Sequence, residues 1–183
     1  MVSAQQVVED TLRWLERAVI GLDLCPFAKA VYVRNRVHVA VTTSSTREEL
    51  LDALRMELRE LVARPVNERE TTLLVAPFQL QEFLEFSDFL RVAEGVLKKQ
   101  GLMGVVQLAS FHPGYQFADT DADDITNCTN RAPYPTLHLL REASIEAAVK
   151  SFPGASSIYE KNLQTLRTLG PAGWAALQVR RRQ

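Results

Sequence analysis

Apolar residues recur along this chain with two periods, and stretches of the two periods alternate. From Ser3 to Ile20, Val8, Leu12, Leu15 and Val19 share one helical face, Ser3 and Gln6 have capping-box spacing, and Gly21 is a natural stop. Val31 to Val41 then alternates. Val31, Val33, Val37, Val39 and Val41 fall on one side, which predicts a strand with one wet face or a hairpin turning near Asn35. A second helix starts at Ser45 or Thr46, carries Leu50, Leu54, Leu58 and Leu61, and ends at Arg64-Pro65. Thr71 to Ala76 is a short β-branched run, read as a buried strand. Phe83, Phe86, Leu90, Ala93 and Leu97 make a third helical stripe, closed by Lys98, Lys99 and Gly101. Val105 to Phe111 reads as the third strand, with Val105, Val106, Leu108 and Ala109 as core.

Beyond Phe111 the period is lost until about Thr136. Thr136 to Lys150 reads as a helix, Phe152-Pro153-Gly154 as a turn, and Ser157 to Gly170-Pro171 as a last helix, after which Trp174 folds back onto the body. Strands alternating with helices of this length predict an α/β fold. The expected architecture is one layered domain over residues 1–183, with a sheet of three or more strands, alternating helices and two C-terminal helices. A ferredoxin-like α+β sheet is the alternative.

Composition narrows the class. The chain has 183 residues, 46% of them hydrophobic, and a formal charge of -1, so it lacks the basic surplus of a general nucleic-acid binder. The Arg180-Arg181-Arg182 run is short enough to be a solvated tail. The N-terminal stretch is too charged for a signal peptide, and no apolar run approaches membrane-spanning length. Two cysteines, Cys25 and Cys128, are too few for a disulfide framework. A reduced cytoplasmic protein with no membrane partner is expected.

The candidate chemistry is concentrated between Phe111 and Glu142. Long aperiodic loops in compact domains are usually functional or disordered, and this one has the aromatic mass to be ordered, Tyr115 included. If the three strands run parallel, their carboxyl ends converge and His112 projects at the mouth. His112 is then a candidate general acid or base, or else a turn histidine bonded to a backbone carbonyl. On a helix starting near Thr136, His138 and Arg141 share a face, and Arg131 lies just upstream. The three suit a phosphate or carboxylate, or else pair with Asp123, Asp124 and Glu142 and pin the loop. Asn127, Asn130 and Tyr115 are candidate substrate contacts. Asp124 is a candidate to fix a histidine or a metal.

Asp119, Asp121 and Asp123 open like a calcium loop, but Asp124 and Asn130 stand where that loop needs Gly and Glu, so no metal is assigned. Cys25 is a reserve nucleophile or a buried thiol. His38, on the wet side of its strand, is given no role. No dinucleotide fingerprint, P-loop, serine-hydrolase elbow or zinc-protease motif is present, and no cofactor is named.

Three strings are distinctive: residues 21–28 (GLDLCPFA), 108–113 (LASFHP) and 129–142 (TNRAPYPTLHLLRE). They resemble the bacterial domain of unknown function family 1415, over nearly the whole chain. The resemblance implies a small cytoplasmic bacterial protein and supplies no activity. The residues themselves point first to an enzyme acting on a small anionic substrate by hydrolysis or group transfer. A non-catalytic module binding a metabolite or protein is the second reading, and a purely structural loop the third.

Overall fold

The computed structural model describes residues 2–152 and 154–179. The Arg180–Arg182 run and Pro153 of the expected turn lie outside the described residues. The fold is α/β, with helices on both faces of a four-stranded mixed sheet.

Helix α1 (Ala4–Trp14) begins where the Ser3 hydroxyl accepts from the Gln6 amide at 3.2 Å. It continues into a π-helix at Leu15–Ile20, where the wider turn is visible in the bonds from Gly21 N to Glu16 O and from Leu24 N to Val19 O, both 2.9 Å. Its buried stripe is the expected one only in part: Leu15 and Val19 are buried as predicted. Val7, Asp10, Thr11, Trp14 and Ala18 face inward, while Val8 and Leu12 are only partly covered.

Residues 28–33 correct the first predicted strand. They form a short helix, α2 (Ala28–Val33), and only Val37–Val41 is extended, as β1. Ala28 and Tyr32, one helical turn apart, pack against the core under α1, and the Tyr32 hydroxyl bonds Glu16. Asn35 then turns the chain through the left-handed region, at φ 56°. Val33, counted in the alternation, is 64% exposed.

Helix α3 (Arg47–Ala63) has a complete capping box between Thr46 and Glu49. It leads to β2 (Thr71–Val75), which is buried along its whole length. Helix α4 (Phe83–Lys99) ends beside Gly101, whose φ of +70° suits a residue without a Cβ. Then comes β3 (Val106–Phe111).

The helix predicted from Thr136 to Lys150 is half strand. Thr136–Arg141 is β4, and only Glu142–Ser151 is helical, as α5. The Leu-rich stretch suits a helix by propensity. It is extended because both its edges find partners, antiparallel to β2 on one side and to β3 on the other. The order is β1-β2-β4-β3, with β1 and β2 parallel. Strands β1, β2 and β3 therefore point the same way and β4 alone runs back.

The last helix, α6 (Ile158–Ala176), breaks where the sequence placed its end. Gly170 is non-helical (φ 67°, ψ 174°), and the chain re-enters the helix at Pro171, a residue that suits a first helical turn. Trp174, on the re-entered segment, packs back onto the core as expected.

Leu74, Leu137, Leu139 and Val106 meet α3 and α4 on one face of the sheet. Leu73, Val75 and the β1 valines meet α1 and the π-helix on the other. Leu54 is fully buried in the first of these layers. Leu54→Ala should lower unfolding stability by roughly 2–5 kcal/mol, and Thr46→Ala by about 1 kcal/mol. Urea denaturation followed by circular dichroism measures both, with unchanged m-values expected.

Candidate functional site

The strand directions set two ends to the sheet. At one end lie the last residues of β1, β2 and β3, the start of β4, and the loop between β3 and β4. The segments after β1, β2 and β3 do converge there. Ala76 N donates to Pro135 O at 2.9 Å, Gln79 Nε2 to Ser44 O at 3.4 Å, and His112 N to Asn130 O at 3.1 Å.

His112 sits in this convergence, 1% exposed, with its ring against Phe83 and Phe86. Its Nδ1 accepts from the Gly114 amide at 3.0 Å, which puts the proton on Nε2, and Nε2 donates to Leu80 O at 2.9 Å. Burial pulls its pKa below the ordinary histidine value, against the opposing pull of the Leu80 and Gln81 carbonyls. The imidazole is thus a neutral strut between two chain segments, with both nitrogens in use.

The rest of the loop satisfies itself in the same way. Asn127 Oδ1 accepts from Phe117 N and from Thr120 Oγ1, both at 2.9 Å, and its Nδ2 donates to Asp121 O at 2.8 Å. Arg131 donates from Nε to Tyr115 O at 3.1 Å and from a terminal nitrogen to Ala122 O at 2.6 Å. Asn130 Nδ2 reaches Ser110 O at 3.4 Å. Asp124 caps the short 3-10 helix Ile125–Asn130 by accepting from Thr126 N and Oγ1, and the Thr126 side-chain bond, then the backbone one, lowers its pKa. Tyr115 lies between Phe83 and Phe117 at centroid distances of 5.1 and 5.0 Å. One polar atom at this end is unsatisfied: Ser44 Oγ is buried without a hydrogen-bond partner among the described residues.

The predicted anion group Arg131, His138 and Arg141 is not brought together. A three-residue spacing shares a face on a helix but lies on opposite faces of a strand. His138 projects from the middle of β4 on the α1 side, 6.1 Å from the Phe111 ring, with Nε2 2.6 Å from Thr71 Oγ1. Burial lowers its pKa to about 4. Arg141 lies at the far end of β4, where its guanidinium bonds the carbonyls of Leu61, Arg64 and Arg69 and so closes the C-terminus of α3. Cys25 packs in the cluster under α1, on the opposite side of the sheet from His112, and burial raises its pKa. Burial likewise raises that of Cys128, with the Arg131 charge opposing. Among the described residues no group of three or more His, Cys, Asp or Glu is placed to hold a metal ion, and no helix is long and apolar enough to cross a membrane.

The other end of the sheet holds a cavity of about 240 Å³, lined by Asn35, Val37, His38, Arg64, Glu68 and Arg69. Arg69 is 5% exposed. It forms a buried ion pair with Glu57 and donates from Nε to Thr72 Oγ1 at 2.9 Å, which leaves its second terminal nitrogen without a partner among the described residues. His38, its side chain 47% exposed, stands 3.9 Å from Glu57 Oε2. Desolvation, then the Arg69 charge, lower the His38 pKa, and Glu57 opposes them.

This cluster was missed from the sequence, although one signal was there. Glu57 falls on the inward stripe of α3, between Leu54 and Leu58, where a carboxylate needs a buried partner. Asp10 is the same kind of omission: it is buried on α1 and accepts from Tyr134 Oη at 2.8 Å and Arg13 at 2.6 Å.

Fold and site together define an α/β protein with a structured loop at one end of its sheet and a polar cleft at the other. The chain belongs to the family described as a protein of unknown function, DUF1415, which matches residues 6–176. No curated protein and no solved structure matches it.

The buried histidine on β4 has a consequence for stability. The folded chain holds His138 neutral down to about pH 4, whereas the unfolded chain takes a proton near 6.5. The unfolded state therefore binds more protons between those values. His138 contributes its full stability above pH 6.5 and loses it as the pH falls towards 4, by on the order of 3 kcal/mol at most. Urea midpoints measured from pH 7.5 to 4 should show His138→Gln with a shallower loss than wild type.

Proposed function

We propose that this protein binds a small carboxylate- or phosphate-bearing anion in the cleft between the C-terminus of α3 and the starts of β1 and β2. One observation carries the reading: Arg69, buried and fixed by Glu57 and Thr72, lines a cavity and keeps one terminal nitrogen without a partner among the described residues. A guanidinium so held loses little freedom on meeting an oxyanion, and it can do so without losing the bonds that hold it. Arg64 and His38 line the same space. At about 240 Å³ the cavity lies below the roughly 300–1,000 Å³ of drug-sized pockets, so the ligand is metabolite-sized.

Hydrolysis or group transfer at this cleft is the second reading. It is favoured by His38, a half-exposed imidazole facing the buried Glu57 carboxylate, which can take up a proton and be steadied while it holds it. The loop-end alternative would have His112 as acid or base and Arg131, His138 and Arg141 on the anion. It would require His112 to release one of its two ring bonds and would draw on cations from different parts of the sheet.

Isothermal titration of phosphate and of pentanoate into wild type, Arg64→Gln and His38→Gln tests the cleft. Both replaced side chains are substantially exposed, so the variants should fold. Arg64→Gln should weaken binding about tenfold, or about 1.4 kcal/mol. Protonation of His38 lies below the ordinary value of 6.5, so wild-type affinity should rise as the pH falls below that value, and His38→Gln should lose the rise. No binding of either anion, or affinities unchanged in both variants, would overturn the proposal.

A further inference from the structure

We infer that the anion carries an ammonium group as well, so that the cleft takes an amino-acid-sized zwitterion; this rests on the binding site proposed above. The wall of the cleft is electrically balanced. Arg64 is paired with Glu60 at 2.9 Å, Arg69 with Glu57, and nearby Arg36 with Glu70 at 3.5 Å. Arg141 adds a positive charge beside the carbonyls of residues 61, 64 and 69.

Glu68 is the remaining carboxylate. It lines the cavity, is exposed, and has no ion-pair or side-chain hydrogen-bond partner among the described residues. Its backbone is held in a turn by the bond from Glu68 N to Pro65 O at 3.0 Å, so the carboxylate stands on a fixed base.

A ligand carrying only negative charge would meet both Arg69 and Glu68 in the lining, drawn to the first and repelled by the second. Glu68 is exposed, so water weakens this repulsion without removing it at such short range. A zwitterion answers both charges with the right sign: its carboxylate toward Arg69 and Arg64, its ammonium toward Glu68. Asn35 adds one amide able to donate or accept, and Val37 is the apolar side chain of the lining. The cleft thus matches an α-amino acid with a short side chain better than the corresponding simple acid or simple amine.

The test is a titration of the 183-residue chain with three matched probes: L-norvaline, pentanoate and butylamine. Norvaline should bind at least about tenfold more tightly than either of the others, corresponding to about 1.4 kcal/mol. Glu68→Gln, at an exposed position whose folding is checked by circular dichroism, should bring the norvaline and pentanoate affinities together, while Glu68→Asp keeps part of the difference. If pentanoate binds as tightly as norvaline in wild type, or if Glu68→Gln leaves the norvaline preference intact, the zwitterion is wrong and the anion site stands. If phosphate and all three probes fail to bind, the anion site itself is wrong.

Discussion

Residues Thr136 to Arg141 bond on both edges, to β2 and to β3, and this insertion decides where the polar side chains of the chain lie. A central strand cannot slip by one residue without sending its apolar set to the wrong face. Leu137 and Leu139 are thereby committed to the layer under α3 and α4. His138 must then face α1, and Arg141 must emerge at the end of the sheet opposite the loop that holds Arg131, the two ends of β4 being about 17 Å apart. Because β4 runs against its neighbours, the ends of β1, β2 and β3 are left together at the loop end, where the loop from Phe111 to Thr136 closes over them.

The two ends use polar groups differently. At the loop end the side chains that looked chemical are spent on bonds within the fold: His112 on the Leu80 and Gly114 backbone, Arg131 on the Tyr115 and Ala122 carbonyls, Asn127 on the Phe117 and Asp121 backbone and the Thr120 hydroxyl. At His112, which is buried, a broken bond would leave a buried group unpaired, so this part of the loop is costly to rearrange. At the cleft end the central interaction is the buried pair of Arg69 and Glu57. Desolvating two charges offsets most of their attraction, so the pair is a poor source of stability. What it provides is orientation: it fixes a guanidinium at a cavity wall, and Thr72 steadies the same group. His38 shares the carboxylate at 3.9 Å, so its charge state is coupled to the pair.

Most of the local structure was legible. The leucine stripe and capping box of α3, the β-branched run of β2, the aromatic stripe of α4 with its stop at Gly101, and the strand ending at Phe111 are all set by neighbours within a few residues. Two elements were not legible, for the same reason. The alternation at Val31 and Val33 and the leucines of residues 137–140 each suit either a helix or a strand. Partners far along the chain decide between them: the core under α1 for α2, and β2 with β3 for β4. That second reversal also separated His138 from Arg141, so the anion group predicted on a helix does not form on the strand. The convergence of strand ends at His112 was legible. The cleft was not, because Asn35, His38, Arg64 and Arg69 have no periodic relation and meet only through the parallel pairing of β1 with β2.

Binding at the cleft end rather than the loop end is tested most directly by nitrogen-detected NMR of the arginine and histidine side chains during a titration with phosphate and then with L-norvaline. The Nε–H signal of Arg69 and the ring signals of His38 should move saturably, while those of Arg131 and His112 stay in place. Movement of the Arg131 or His112 signals, with Arg69 and His38 unchanged, would contradict the assignment and return the site to the loop.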